Sequence, residues 1–304
     1  MRHITLTEPG TVLPESELIL NPDGSVYHLA LQPEQIGDTV FVVGDPGRVA
    51  LISKRFDRIE HQSQNREFIA HTGTLRGRRI TALATGIGTD NLDIVISELD
   101  ALVNIDLKTR SPKREQKALN IIRMGTCGAL QEDIPVDTFI VSQSGLGLDN
   151  VLHYYAHENE DSEHRLLHAI LGHVEWPDNL PIPYIAFGDE QLVRRLGEDN
   201  RVGITATSGG FYGPQGRQLR AVPSVDGIND AFTSFRSEVD GLEGLCITNY
   251  EMETSALYGL SGILGHKAAT ICSVVANRLR KEYSNNHHAA IERMINEVLE
   301  RIVM

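Results

Sequence analysis

Cysteine is scarce in this chain of 304 residues: there are three, Cys127, Cys246 and Cys272, an odd number set far apart. With no CxxC pair and no Cys/His spacing, neither a disulfide framework nor a metal site is expected. A reducing cytoplasm is the expected setting. Long apolar runs are missing too. No stretch approaches the roughly 18 apolar residues of a membrane span, and the opening MRHITLTEPGTVLPESELIL lacks the apolar core of a signal peptide. No membrane association is expected. Basic residues are outnumbered, 28 against 41 acidic, for a formal charge of -13 with histidines neutral. That disfavours a nucleic-acid surface, so any positive charge used on a phosphate must be gathered in one place. Glycine and proline together make only 39 residues, which excludes a collagen-like or low-complexity chain. There is no Walker loop, no GxGxxG fingerprint and no fixed-period repeat.

What remains is a chain 41% apolar and 23% charged, enough for a sizeable core. Residues 1–25, with Pro9, Gly10, Pro14, Pro22 and Gly24, read as an N-terminal arm; residues 26–304 read as one domain. Short β-branched runs alternate there with helical patterns: TVFVV (39–43), RRITALAT (78–85), LNIIRM (119–124), TFIVS (138–142), IPYIAF (182–187), VGITAT (202–207), LCITN (245–249) and ATICSVV (269–275). This alternation predicts an α/β sheet. Leu92, Val95, Ile96, Leu99, Leu102 and Val103 share one helical face, with Thr89 or Asp90 placed to cap it. A second helix follows NYEMETS and stops at Gly265, its stripe starting at Met252. A third carries Ile291, Met294, Ile295, Val298 and Ile302. The basic run from 104 to 118 reads as a solvated surface loop.

Four segments could carry chemistry. FVVGDPGRVALI passes from a strand through Gly44 and Gly47 to Arg48, where bare backbone amides can approach an anion. LNIIRMGTCGAL sets Arg123 at the end of an apolar strand, where its charge needs a carboxylate or a bound oxyanion, and follows it with Gly125, Thr126 and Gly128. TSGGFYGPQGR gathers Phe211, Gln215 and Arg217, an aromatic face, an amide and a planar donor fork suited to a flat heterocycle. NYEMETS brings Met252 between Glu251 and Glu253. On a helix those carboxylates lie about 200° apart, so one is expected to cap the helix while the other points into a site. Taken singly, each segment also reads as an ordinary turn, ion pair or cap.

Together they resemble the nucleoside phosphorylase I family, and within it the members that act on uridine. The matching motifs are YHLAL (27–31), GDPGRV (44–49), NREF (65–68), ATGIG (84–88), RMGTCG (123–128), FYGPQGR (211–217), NYEME (249–253) and ANR (276–278). The resemblance implies a single α/β domain on a mixed, partly barrel-like sheet flanked by helices. It implies reversible phosphorolysis of uridine to uracil and ribose 1-phosphate, a pentosyl transfer. By motif, Gly44, Arg48, Arg123 and Thr126 would bind phosphate, with Arg66 reaching it from a neighbouring subunit. His28 would cross the same interface to the ribose, which Met252 and Glu253 hold. Phe211, Gln215, Arg217 and Gly128 would take the base, and catalysis would fall to Arg123, Gln215, Arg217 and Glu253. Because His28 and Arg66 serve a neighbour, a homodimer is the minimum, with a hexamer of three dimers left open. No cofactor is required, although the family's interface would allow a monovalent cation at Glu67.

Purine-specific relatives carry an Asp where this chain has Asn277 and Arg278, so uridine is expected ahead of inosine. A water-using nucleosidase is the alternative within the fold, disfavoured by Arg48, Arg66 and Arg123; a catalytically silent nucleoside-binding or storage protein is the alternative outside enzymes. Two departures stand out. After ATGIG the family usually continues with a Pro-Ser pair, but here Thr89, Asp90 and Asn91 follow, and Cys127 replaces the common Thr or Ser.

Overall fold

Strand β1 (Thr39–Val43) is apolar at successive positions because both its faces are covered: Val40 and Val42 enter one core, Phe41 and Val43 another. The computed structural model describes residues 4–225 and 227–303. From β1 the chain runs through α1 (Gly47–Ser53), β2 (Arg58–Asn65), β3 (Phe68–Leu75), β4 (Arg78–Ala84), α2 (Thr89–Asn104), β5 (Ile105–Asp106) and β6 (Ser111–Pro112). Then come β7 (Asn120–Ala129), β8 (Phe139–Gly147), α3 (Asp161–His173), β9 (Tyr184–Phe187), α4 (Glu190–Gly197), β10 (Arg201–Thr207) and α5 (Ile228–Ser234). The last elements are β11 (Ile247–Glu251), α6 (Thr254–Leu264), β12 (Lys267–Asn277), β13 (Glu282–Tyr283) and α7 (His287–Val303).

One mixed sheet follows the order β13-β12-β8-β10-β11-β7-β1-β4-β3-β2, with β9 on the side of β8. Because β12 pairs with β7 as well as with β8, the five strands β7, β12, β8, β10 and β11 close on themselves, as the expected partly barrel-like sheet requires. Strands β1, β4, β3 and β2 extend from this barrel as an open wing. Helices α2 and α6 cover one face through Leu92, Val95, Ile96, Leu99, Leu257 and Leu260. Helix α7 covers the other through Ile291, Met294, Ile295 and Val298. Among the described residues no helix is long and apolar enough to cross a membrane.

Four local expectations need correction. The β2–β3 hairpin was absent from the sequence pattern because RIEHQSQN is half-exposed and shows no alternation of apolar residues. The strand read as ending at residue 124 is longer: β7 runs on through Gly125 and Gly128 to Ala129, held by its ladder with β12. Neither Thr89 nor Asp90 caps α2; the N-cap position is Gly88, at φ +101°, reachable without a Cβ and with no side chain of its own to make the cap bond. The basic run is a fastener as well as a surface. Arg110 Nε donates to the Leu13 carbonyl and Nη2 to the Pro14 carbonyl, both at 3.1 Å, and Nη2 also bonds the Leu18 carbonyl. Lys113 Nζ donates to the Val103 carbonyl at 2.8 Å. The lead-in is pinned further by bridges from Ile4 to His157 and from Leu20 to Val26.

Candidate active site

Strand β7 carries Arg123 into the interior, where it is 5% exposed. A charge so placed must be paired, and it is paired twice. Nη1 lies 3.1 Å from Glu251 Oε2, and Nη2 bonds Glu253 Oε2. Nη1 also approaches Cys272 Sγ at 3.2 Å. Both carboxylates reach one guanidinium because they precede α6, so the 200° helical separation does not apply to them. Glu251 does the expected capping, accepting the N–H groups of Glu253 at 2.9 Å and Thr254 at 3.0 Å, and it takes the Thr207 hydroxyl at 2.6 Å. Glu253 accepts the Gly88 N–H at 2.7 Å, which joins the turn before α2 to the site.

The charges follow from this packing. Burial works to depress Arg123, but Glu253 and Glu251 outweigh it and hold the guanidinium above its ordinary value. Burial raises the Glu253 carboxyl; Arg123 pulls it back and Glu251 adds to the rise. One cation cannot fully serve two carboxylates. The second cation is Arg48, from the first turn of α1, whose Nη1 stands 3.5 Å from the Met124 carbonyl. Burial lowers its pKa, and the charges of Asp45 and Arg123 act on it in opposite senses. Its Nε is buried with no hydrogen-bond partner among the described residues, although Asp45 Oδ2 lies 3.9 Å away. Gly44 sits where the ends of β1 and β4 meet, 3.3 Å from a Cβ position to the Gly86 carbonyl. Thr126 is part-buried on β7, opposite Ser273 of β12.

The other half of the site lies further along β7. A tight turn holds it: Pro214 opens a single 3-10 turn that closes at Gly216, at φ +66°. Gln215 is buried, and Arg217 bonds its Oε1 while donating to the Phe211 carbonyl at 2.7 Å and lying 4.0 Å over the Phe211 ring. Arg278 donates to the Gln215 carbonyl at 2.5 Å and lies 5.3 Å over the Tyr250 ring. Both arginines cover Gly128, where a Cβ would stand 3.5 Å from Arg217 Nη2 and 3.8 Å from the Arg278 stem. Burial, then the neighbouring Arg278, lowers Arg217 to about 10. Phe211 keeps half its surface open to solvent, an unused stacking face. A cavity of about 690 Å³ lies alongside, between Thr89 and Asp90 at the start of α2 and Gly209 and Pro214 of this loop.

Three of the expected residues stand apart. His28 Nδ1 bonds Glu98 Oε1 at 2.7 Å, and the carboxylate also takes the His28 and Leu29 N–H groups, at 2.9 and 2.8 Å. Because a carboxylate only accepts, Nδ1 carries the proton in this bond. Arg66, at φ +53° in the β2–β3 turn, lies 5.8 Å over Tyr27. Among the described residues neither His28 nor Arg66 bonds Arg48, Arg123 or Glu253. Glu67, beside Arg66, accepts from the Asn91 side chain at 3.4 Å. Met252 is part-buried just before α6 and so does not start its apolar stripe.

Tyr250, Thr207 and Glu98 belong to these clusters and were not singled out in sequence, while Arg278 was weighed there only for the choice of base and not as a donor to this loop. Arg278 had a readable signal, an arginine ending an apolar strand as Arg123 does. Asn277 turns away from the loop, donating to the Gln131 and Ile134 carbonyls, both at 2.8 Å.

A family model described as the phosphorylase superfamily matches residues 38–303. The uridine phosphorylase of Thermococcus kodakarensis is 31% identical over 262 residues, spanning 86% of this chain and 80% of that protein. The uridine phosphorylase of Haemophilus influenzae is 26% identical over 269 residues, 86% of this chain and 89% of that one. Among solved structures, a Trypanosoma brucei nucleoside phosphorylase, described as showing uridine phosphorylase activity, superposes with a TM-score of 0.85 at 29% identity. It covers 94% of this chain and 99% of its own.

Proposed function

The chain belongs to the phosphorylase superfamily, and on that premise we propose that it cleaves uridine with inorganic phosphate, reversibly, to uracil and ribose 1-phosphate. The observation that carries the reading is the placement of two arginine clusters along one strand: Arg123, with Arg48 beside it, at one end of the Arg123–Gly128 stretch, and Arg217 with Gln215 over its other end. Breaking a ribosyl C–N bond builds positive charge on the sugar and negative charge on the departing pyrimidine. A site for it needs an oxyanion on one side and hydrogen-bond donors on the other.

In this reading phosphate lies against Gly44, Arg48, Arg123 and Thr126. The unpartnered Nε of Arg48 gains an acceptor there, and a phosphate oxygen attacks C1′ while its charge offsets the developing cation. Glu253 accepts the 2′- and 3′-hydroxyl protons, with Met252 against the sugar. Gln215 and Arg217 donate to the carbonyl oxygens on which the leaving pyrimidine spreads its charge, Phe211 offers a stacking face, and Gly128 leaves the space for the ring. The choice of pyrimidine over purine rests on position 277. An acid placed there could protonate a purine ring nitrogen, but Asn277 is committed to two backbone carbonyls and Arg278 alone faces the loop.

His28 and Arg66 would complete a neighbouring subunit's site, and a homodimer is therefore part of the proposal. The exposed position of Arg66 and the anchoring of His28 Nδ1 on Glu98, which leaves Nε2 out of that bond, support it. Three buried, free thiols fit a reducing cytoplasm. The test is loss of nucleoside absorbance with uridine, thymidine and inosine in phosphate and in phosphate-free buffer. Phosphate-dependent loss of uridine is expected. Cleavage without phosphate would make the protein a nucleosidase, faster inosine cleavage a purine enzyme, and no cleavage a binding protein.

A further inference from the structure

Glu67, Ile87 and Asn91 converge where the β2–β3 turn meets the start of α2. Asn91 Nδ2 donates to Glu67 Oε1 at 3.4 Å and to the Ile87 carbonyl at 3.3 Å. Both partners are acceptors, which fixes the amide: turned over, its Oδ1 would face two oxygens. Gly86, at φ +72°, makes the space, since a Cβ there would stand 2.4 Å from Asn91 Nδ2 and 3.1 Å from Glu67 Cγ. The nitrogen is therefore built into the gap between a carboxylate and a peptide carbonyl.

A carboxylate and a carbonyl oxygen are also the donor set that a hard cation takes, and the family resemblance allows a monovalent cation at Glu67. The oxygens fit such an ion, but the place between them does not. A cation there would confront the positive end of two N–H dipoles at hydrogen-bond distance. We propose that the Asn91 amide stands in for the cation: it bridges the same two oxygens with two N–H groups and leaves the ion no coordination position. The bridge does a mechanical task. It ties the hairpin that carries Arg66 to the turn whose Gly88 N–H holds Glu253, and it does so without taking up an ion from solution.

The proposal concerns ion binding and not the substrate, so its test avoids turnover. Thermal unfolding of the full chain is followed in potassium, sodium and tetramethylammonium chloride at equal ionic strength, and direct binding is read by thallium(I) NMR. The unaltered protein is expected to show the same Tm in all three salts and no saturable thallium signal. Asn91→Ser, which removes the amide and opens the gap, is expected to gain a saturable potassium-dependent rise in Tm of about 2–4 °C. That gain should vanish in Asn91→Ser/Glu67→Gln. A saturable response of the unaltered protein to potassium or thallium, lost in Glu67→Gln, would overturn the proposal. So would an Asn91→Ser protein that folds and binds no ion. If Asn91→Ser does not fold, Asn91→Gly serves the same comparison, and where neither folds the thallium measurement on the unaltered protein decides alone.

Discussion

The Arg123 guanidinium lies directly over Gly125, two residues on in the same strand, so close that a Cβ there would stand 2.1 Å from Nη1 and 2.7 Å from Cζ. The side chain thus runs along its own strand, and the glycine is what lets it do so. Gly125→Ala is expected to push Arg123 off both carboxylates. Overpacking of this kind costs about 1–3 kcal/mol, visible as a lower Tm, and the KM for phosphate should rise at least about tenfold, the equivalent of 1.4 kcal/mol. An alanine variant with native phosphate kinetics would show that the position of Arg123 does not matter.

Arg48 offers the contrasting case. Its Nε has no partner to lose, and Asp45, its acidic neighbour, is well exposed. Arg48→Ala should therefore cost less stability than loss of Arg123, yet raise the KM for phosphate by about ten- to a hundredfold if the buried donor awaits an oxyanion. Arg123→Ala, by comparison, strands two buried carboxylates and should cost about 3–5 kcal/mol. Denaturant melts beside phosphate titrations separate the two patterns; equal stability losses would count against the assignment.

The contrast between these arginines bears on how far the sequence could be read. Its short β-branched runs and helical patterns announced β1, β4, β12, α2, α6 and α7, because each packs a dense or regularly spaced set of apolar residues into a core. The β2–β3 hairpin was silent, since its pairing depends on backbone bonds and not on side-chain alternation. Arg123 was legible as a charge in need of a partner, but not which partner: Glu251 and Glu253 lie about 130 residues away and reach it only because β11 is a neighbour of β7 in the barrel. Arg278 was read only for the choice of base, because its partner, the Gln215 carbonyl, lies 63 residues away and nothing local announces that contact. The basic run misled for a related reason. Surface charge and a side chain that binds backbone carbonyls look alike in composition, and Arg110, at φ +56°, and Lys113 both turn onto the fold.

Arg110 accordingly makes its own prediction. It holds the Leu13, Pro14 and Leu18 carbonyls, and hydrogen bonds from a charged donor contribute about 1.5–3 kcal/mol each where they are shielded. Arg110→Ala should release the segment around residues 13–18, seen as faster amide exchange there, while the kinetics of the site far along the chain stay unchanged. Protection that survives the substitution would assign the segment's order to Leu18 burial instead.

On the base side, Arg217 is expected to act only on the leaving group. Arg217→Ala should lower kcat/KM for uridine by about 10²–10³, the range found when one donor to a developing oxyanion is removed. It should leave the KM for phosphate near its native value, because Arg48 and Arg123 are untouched. A parallel rise in the phosphate KM would mean that the two ends of the site are not separable.

Glu253 fixes the last expectation, an acid limit on activity. Its carboxyl is raised above the ordinary value of 4.5, first by burial and further by Glu251, against the pull of Arg123. The ionised form accepts hydrogen bonds from both ribose hydroxyls, whereas the protonated form turns one of its oxygens into a donor. As pH falls through this raised pKa, the carboxyl takes up a proton in the free enzyme, so kcat/KM for uridine at saturating phosphate should decline on the acid side with a midpoint above 4.5. Above it the site is fully ionised and the profile should level off. Glu253→Gln removes the titrating group, and its small residual activity should show no such limb. Two results would refute the assignment: a midpoint at or below 4.5, or an acid limb that persists in Glu253→Gln, since either places the controlling proton on another group.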